Sequence, residues 1–238
     1  LIETFVWAIK KITTKLHNST RNQYNIPMNT SRKNRIIKIT IWVVCSIVVI
    51  TALLVADAFF WPTTSKQLQS SSSEKLSYND AIAAANRTVS EDASNTDVRP
   101  ECRSIIKTHG KKTTKAVMMI HGVSACPQQF ADLGDTFFNA GYNVYIPRVP
   151  SHGLTDNKRH GEITIPAMAQ FMNSGTSIIS GLGDETGVVG LSGGANMATW
   201  VTQYNSQTIS RALLLSPFYQ PSASETPSWK IPLLRNLY

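Results

Sequence analysis

Apolar and polar positions along this chain change their period several times. Ile39 to Ala56, ITIWVVCSIVVITALLVA, runs 18 residues without a charge, and AFFW continues it after Asp57. A spanning helix needs about 17–25 apolar residues, whereas a signal-peptide core has about 7–15. The stretch is apolar on every face, unlike the one-sided stripe of a surface helix. It predicts a transmembrane helix, or an uncleaved signal anchor, over 39–61. Residues 62–77 then turn polar and serine-rich (TTSKQLQSSSSEKLS) and predict a flexible linker.

Beyond the linker, YNDAIAAANRTVSED (78–92) has helical composition. From about Cys102 the pattern alternates. CRSIIKTH, KAVMMIHG, YNVYIP, TGVVGLS and RALLLSP read as strands. Between them, PQQFADLGDTFFNAG, PAMAQFMNSGTSIISGL and GGANMATWVTQYN read as helices, the first two opened by Pro127 and Pro166. Continuously apolar strands alternating with helices predict an α/β fold whose mostly parallel sheet carries helices on both faces. After Ser216 the text becomes rich in Pro and Ser.

Charge changes this picture in one respect. The formal net charge is +8, but residues 1–38 hold eight basic side chains against Glu3, which is +7. The remaining chain is nearly neutral, so the basicity belongs to a tail beside the apolar run and argues against a nucleic-acid partner. Basic residues on that side predict a cytoplasmic tail (1–38), a single pass, and a globular part outside the cytoplasm. Ala56-Asp57-Ala58 fits a small-x-small cleavage site, so export after cleavage near Ala58 is the alternative. Met28 opens a second plausible basic start, which leaves the origin of residues 1–27 undecided.

The chemistry concentrates at Gly190-Leu191-Ser192-Gly193-Gly194. A Gly-x-Ser-x-Gly pattern is weak alone, but here it follows a strand and opens a helix, the setting of a nucleophile elbow. The helix N-terminus after Ser192 aims backbone N–H groups at developing negative charge. VMMIHGVSACP supplies a second loop at a strand end, and IPRVPSHG a third. Ligands of open α/β sheets bind at such carboxyl ends.

These three blocks, HGVSACP, AGYNVYIPRVPSHG and VVGLSGGANMA, together resemble α/β-hydrolase-fold serine hydrolases of the esterase, monoglyceride-lipase and carboxylesterase group. The resemblance covers roughly residues 100–220. It implies Ser192 as nucleophile, with oxyanion donors at the backbone N–H of Val123 and Gly193. Gly190, Gly194, His121 and Gly122 support the elbow and the loop. The family commonly has Met or Gln where Gly193 stands. The implied reaction is hydrolysis of a small ester or lipid through an acyl-enzyme. Thioesterase or peptidase chemistry, and a non-catalytic binding domain, are the alternatives. No cofactor is implied.

In this family the triad acid and histidine follow the serine along the chain. Only 46 residues follow Ser192, with Glu225 the one acid and no histidine. The expectation is a partial α/β-hydrolase domain over 78–238, with the start of a cap from about 218. The remaining triad members are then expected beyond Tyr238, within about 80–120 further residues. Among the histidines present, His121 and His152 read as loop-ordering groups, His160 as exposed and His109 as part of a basic turn. Asp132, Asp135 and Asp156 read as surface or capping residues. No cluster has metal-ligand spacing. Cys45 reads as an inert residue of the apolar helix, while Cys102 and Cys126 are candidates for a disulfide or two buried thiols. The oligomeric state is not legible.

Overall fold

The computed structural model describes residues 30–60 and 65–219, together with Trp7, Lys10, Lys11, Thr14, Ser222, Ser224 and Thr226. Most of the basic tail, Trp61-Pro62 and nearly all of the expected cap, Glu225 included, lie outside the described residues. The chain divides into two units, Leu1–Trp61 with Pro232–Tyr238, and Pro62–Ile231.

In the first unit, helix α1 spans Thr30–Phe60 and so begins nine residues before the apolar run. Its segment Ser31–Asp57 is long and apolar enough to cross a membrane. Those 27 residues reach about 40 Å at 1.5 Å each, against a hydrocarbon core of about 30 Å. Three hydroxyls inside it are satisfied by the helix itself. Thr40, Ser46 and Thr51 donate to the carbonyls of Ile36, Trp42 and Ile47 at 3.0, 2.8 and 2.8 Å. An apolar surrounding then meets no unpaired side-chain donor at these positions.

In the second unit, the strands are β1 (Ile105–Lys107), β2 (Thr113–Ile120), β3 (Asn143–Ile146), β4 (Gly183–Leu191) and β5 (Ile209–Leu215). The helices are α2 (Tyr78–Ser94), α3 (Ala131–Asn139), α4 (Ile165–Leu182) and α5 (Gly193–Tyr204). The strand order is β1-β3-β2-β4-β5. All pairs are parallel except β1 with β3, where Ile106 stands opposite Tyr145.

Alternation along β2 builds two cores. Ala116, Met118 and Ile120 face the layer of α2, α4 and α5, with Ala81, Ile179, Leu182 and Val201. Val117 and Met119 face α3, packing with Val144, Ile146, Phe137 and Phe138. Period-2 side-chain direction makes both faces of a central strand apolar, which is why β2 reads as a continuous run. This mixed, mostly parallel sheet with helices on both faces is the α/β architecture that the alternating pattern predicts.

Three local expectations are corrected. The segment expected as one helix from Pro127 opens with a 3-10 turn, Pro127–Phe130, before α3 starts at Ala131. The serine-rich stretch is not a free linker over 65–77. Ser71 Oγ donates to Asn173 Oδ1 at 2.7 Å, and the Glu74 and Leu76 amides donate to Ser177 and Ser180 on α4. Trp200 on α5 donates its indole N–H to the Leu68 carbonyl at 2.8 Å. Small hydroxyl side chains on both sides let backbone lie flat against α4 and pair its polar groups. His160, expected exposed, is half-buried and stacks on His152 with ring centroids 4.4 Å apart.

Candidate functional site

Sheet register brings the site together. Ile120 of β2 is opposite Gly190 of β4, and β3 lies on the other side of β2. Three strand ends therefore emerge side by side, carrying the loops at 121–126, 147–153 and the turn at Ser192.

Ser192 has φ 55° and ψ −120°, a backbone region that a residue with a Cβ seldom occupies. The turn is pinned on both sides: the Ser192 amide donates to the Leu215 carbonyl at 2.9 Å, and its carbonyl accepts from Ala195 at 2.9 Å. The neighbouring glycines follow from packing. A Cβ on Gly194 would run into the backbone carbonyls of Ile120 and His121, and one on Gly190 into the backbone of Gly194 and Ala195. Helix α5 thus approaches the end of β2 at a distance only glycine permits.

The 121–123 loop lies against this turn. A Cβ on Gly122 would stand 3.6 Å from the Ser192 Cβ, and one on Gly193 3.8 Å from the Val123 nitrogen. Gln129 holds the loop from below, its Oε1 accepting from the Gly122 amide at 2.9 Å. The Gly122 carbonyl accepts from Ala125 at 3.0 Å. The Gly122 amide is thus occupied, whereas among the described residues the Val123 amide meets no backbone acceptor. Gly193 is the first residue of α5, so its amide has no partner within the helix.

His121 is fully buried and bonded through both ring nitrogens. The Val149 amide donates to Nε2 at 3.0 Å, so the proton resides on Nδ1, which donates to the Gly122 carbonyl at 2.9 Å. Burial lowers its pKa to about 4, which keeps the ring neutral near pH 7. Neither nitrogen is available as a base for Ser192. His152 is held through Nδ1 to the Pro150 carbonyl at 2.8 Å, and burial shifts its pKa down. The His121 and His152 rings lie 5.6 Å apart. His109 stacks on Phe138. Among the described residues, therefore, none of these rings pairs with Ser192.

A disulfide joins Cys102 and Cys126, with Cα atoms 5.1 Å apart. Cys126 stands immediately before the 3-10 turn that carries Gln129, so the bridge ties the loop base to the segment ahead of β1. Asp156 caps the 3-10 segment Asn157–Glu162 through the Lys158 amide at 2.9 Å, and Asp135 pairs with Lys107. No group of three or more potential metal ligands occurs among the described residues.

Sequence reading missed Gln129 and the buried Asp92–Arg148 pair. Gln129 gave no signal, being one of two adjacent glutamines in a helix-like run. Asp92 gave one: an acid close to a helix C-terminus, where the macrodipole disfavours it.

No protein-family model and no curated protein matches this chain. Solved structures do. One comes from work on LipS and LipT, two metagenome-derived lipolytic enzymes, with 22% identity over 48% of this chain and 45% of that one and a TM-score of 0.43. A Pyrobaculum calidifontis esterase is 14% identical over 69% of this chain and 63% of its own, with a TM-score of 0.36. Naproxen esterase (carboxylesterase NP) from Bacillus subtilis is 16% identical over 60% of this chain and 52% of its own, with a TM-score of 0.33. The chain spans about half the length of these structures.

Proposed function

We propose that this protein is a serine hydrolase of carboxylic esters. Ser192 attacks the ester carbonyl, the amides of Val123 and Gly193 receive the developing oxyanion, and water hydrolyses the acyl-enzyme. The observation that carries the proposal is the strained backbone at Ser192 with the 121–123 loop seated against it. Strain of this kind costs on the order of 1–3 kcal/mol and persists where the surroundings enforce it. Here the strained residue stands beside two amides, of Val123 and Gly193, that meet no backbone acceptor among the described residues. A structural serine at a strand end needs neither feature.

The mechanism requires a histidine and an acid to take the serine proton, and the described residues bring none to Ser192. That gap favours one second reading: a membrane-associated α/β-hydrolase-like domain that binds without turnover. Thioester or peptide substrates would use the same serine and amides.

The test uses protein expressed from its complete coding sequence, treated with a fluorophosphonate probe and assayed with p-nitrophenyl butyrate. Labelling and turnover that Ser192→Ala abolishes support the proposal. Equal labelling of wild type and Ser192→Ala removes Ser192 as an activated nucleophile and leaves the binding domain.

A further inference from the structure

The Asp92 carboxylate accepts four hydrogen bonds. Oδ1 takes Arg148 Nε and Nη2 at 2.9 and 2.7 Å, and Oδ2 takes the Ser104 amide and hydroxyl at 2.8 and 2.6 Å. Asp92 is 3% exposed, and the Arg148 side chain 15%. This ion pair is costly where it stands. Both charges leave water, and Asp92 sits in the last turn of α2, against the macrodipole. Well-packed apolar residues in place of such a pair are often neutral or stabilising. Stability is therefore a poor account of its presence.

Its geometry offers a better one. Arg148 directs Nη1 to the His152 carbonyl at 3.0 Å, and its own amide donates to Ser104 Oγ at 2.8 Å. The loop after β3 is thus gripped at both ends. Between those ends lies Val149, whose amide donates to His121 Nε2, and His121 in turn donates to Gly122, the residue before Val123. Hydrogen bonds, joined through the Arg148–Val149 peptide bond, thus run from the end of α2 to the loop beside Ser192.

We infer that Asp92 and Arg148 are positioning residues, retained because they set the 148–152 loop at the height that lets Val149 hold His121 and so aim the Val123 amide. Neither touches the reacting atoms. The inference rests on the proposed serine chemistry for its kinetic consequence, but its structural core does not. A misplacement of about 1 Å in such a loop is worth up to roughly a hundredfold in rate.

The decisive variant replaces the pair together, Asp92→Leu with Arg148→Met, which leaves no unpaired buried charge. Expressed from the complete coding sequence, it is expected to unfold at or near the wild-type temperature. Hydrogen exchange at the Val149 amide should nonetheless accelerate at least about tenfold, as its acceptor ring is released. With an active wild type, kcat for p-nitrophenyl butyrate should fall at least about tenfold with KM within about twofold, the pattern of a lost transition-state contact. Arg148→Lys, which keeps the charge but loses the fork, should fall between, and it carries the same two readouts if the double variant does not fold. Wild-type exchange at Val149 in the folded variant overturns the inference. Fast exchange with unchanged kcat in an active enzyme overturns it equally. If wild-type protein is not labelled at Ser192, the serine chemistry fails by itself, and the exchange measurement still decides whether the pair sets the loop.

Discussion

Val123 and Gly193 are sterically complementary: the Val123 Cγ2 stands where a Cβ on Gly193 would have to go. The absence of a side chain at 193 is thus matched by a branched one across the turn. Gly193→Ala is expected to push the Val123 loop away and slow fluorophosphonate labelling about a hundredfold, the lower end of the range for losing an oxyanion donor. Adding Val123→Ala should restore labelling to within about threefold. A double variant no faster than Gly193→Ala would refute the pairing.

Gly194→Ala meets a harder obstacle. Its Cβ would strike the Ile120 and His121 carbonyl oxygens, which belong to the central strand end and cannot rotate aside. Destabilisation of about 3 kcal/mol or more is expected, larger than for Gly193→Ala, whose obstacle is a side-chain methyl. Urea unfolding of the two variants side by side ranks them.

Burial of His121 makes stability pH-dependent with a definite sign. Its pKa is about 4 in the fold and about 6.5 unfolded, so the unfolded chain binds the proton first. The contribution is intact above pH 6.5 and is lost progressively as pH falls to about 4, amounting to about 3 kcal/mol. Unfolding midpoints from pH 7.5 to 4 test this, and the His121 imidazole resonances should stay neutral, protonated on Nδ1, down to about pH 5. Titration near pH 6.5 would remove the burial account.

The Cys102–Cys126 bridge closes a loop with a sequence separation of 24. Replacing both cysteines by alanine should cost about 3 kcal/mol. Because the bridge lies at the base of the 121–130 loop, hydrogen exchange at Gln129 and Ala125 should rise more than exchange at Val201 in α5. A uniform rise would mean that the bridge acts on global stability alone.

Helix α1 makes its own prediction. If it crosses a membrane, Val48→Arg places a charge mid-span at a cost of about 2.5–3.5 kcal/mol. Carbonate-resistant membrane association of the full protein should drop sharply. Unchanged association would show that the helix is not the anchor.

Much of this was legible in the residues. The apolar run of α1, the four longest strands and the glycine-flanked serine are local statements: period, propensity and turn chemistry determine them before any tertiary contact forms. For the same reason the three blocks that form the site could be picked out and ordered along the chain. Other features depended on residues far apart in sequence. Only the β2–β4 register set Gly122 and Val123 beside Ser192, and only the position of the third loop showed that Val149 uses the second His121 nitrogen. Whether Ser71 was linker or packing depended on Asn173, 102 residues away. Nothing in the local pattern paired Asp92 with Arg148 and Ser104, which lie 56 and 12 residues away. Sequence by itself determines which segments bury their faces, because burial is a property of a residue type repeated at a period. Tertiary structure decides which buried polar groups find each other, because a hydrogen bond is satisfied by one partner at one distance, and nothing in the local pattern names that partner.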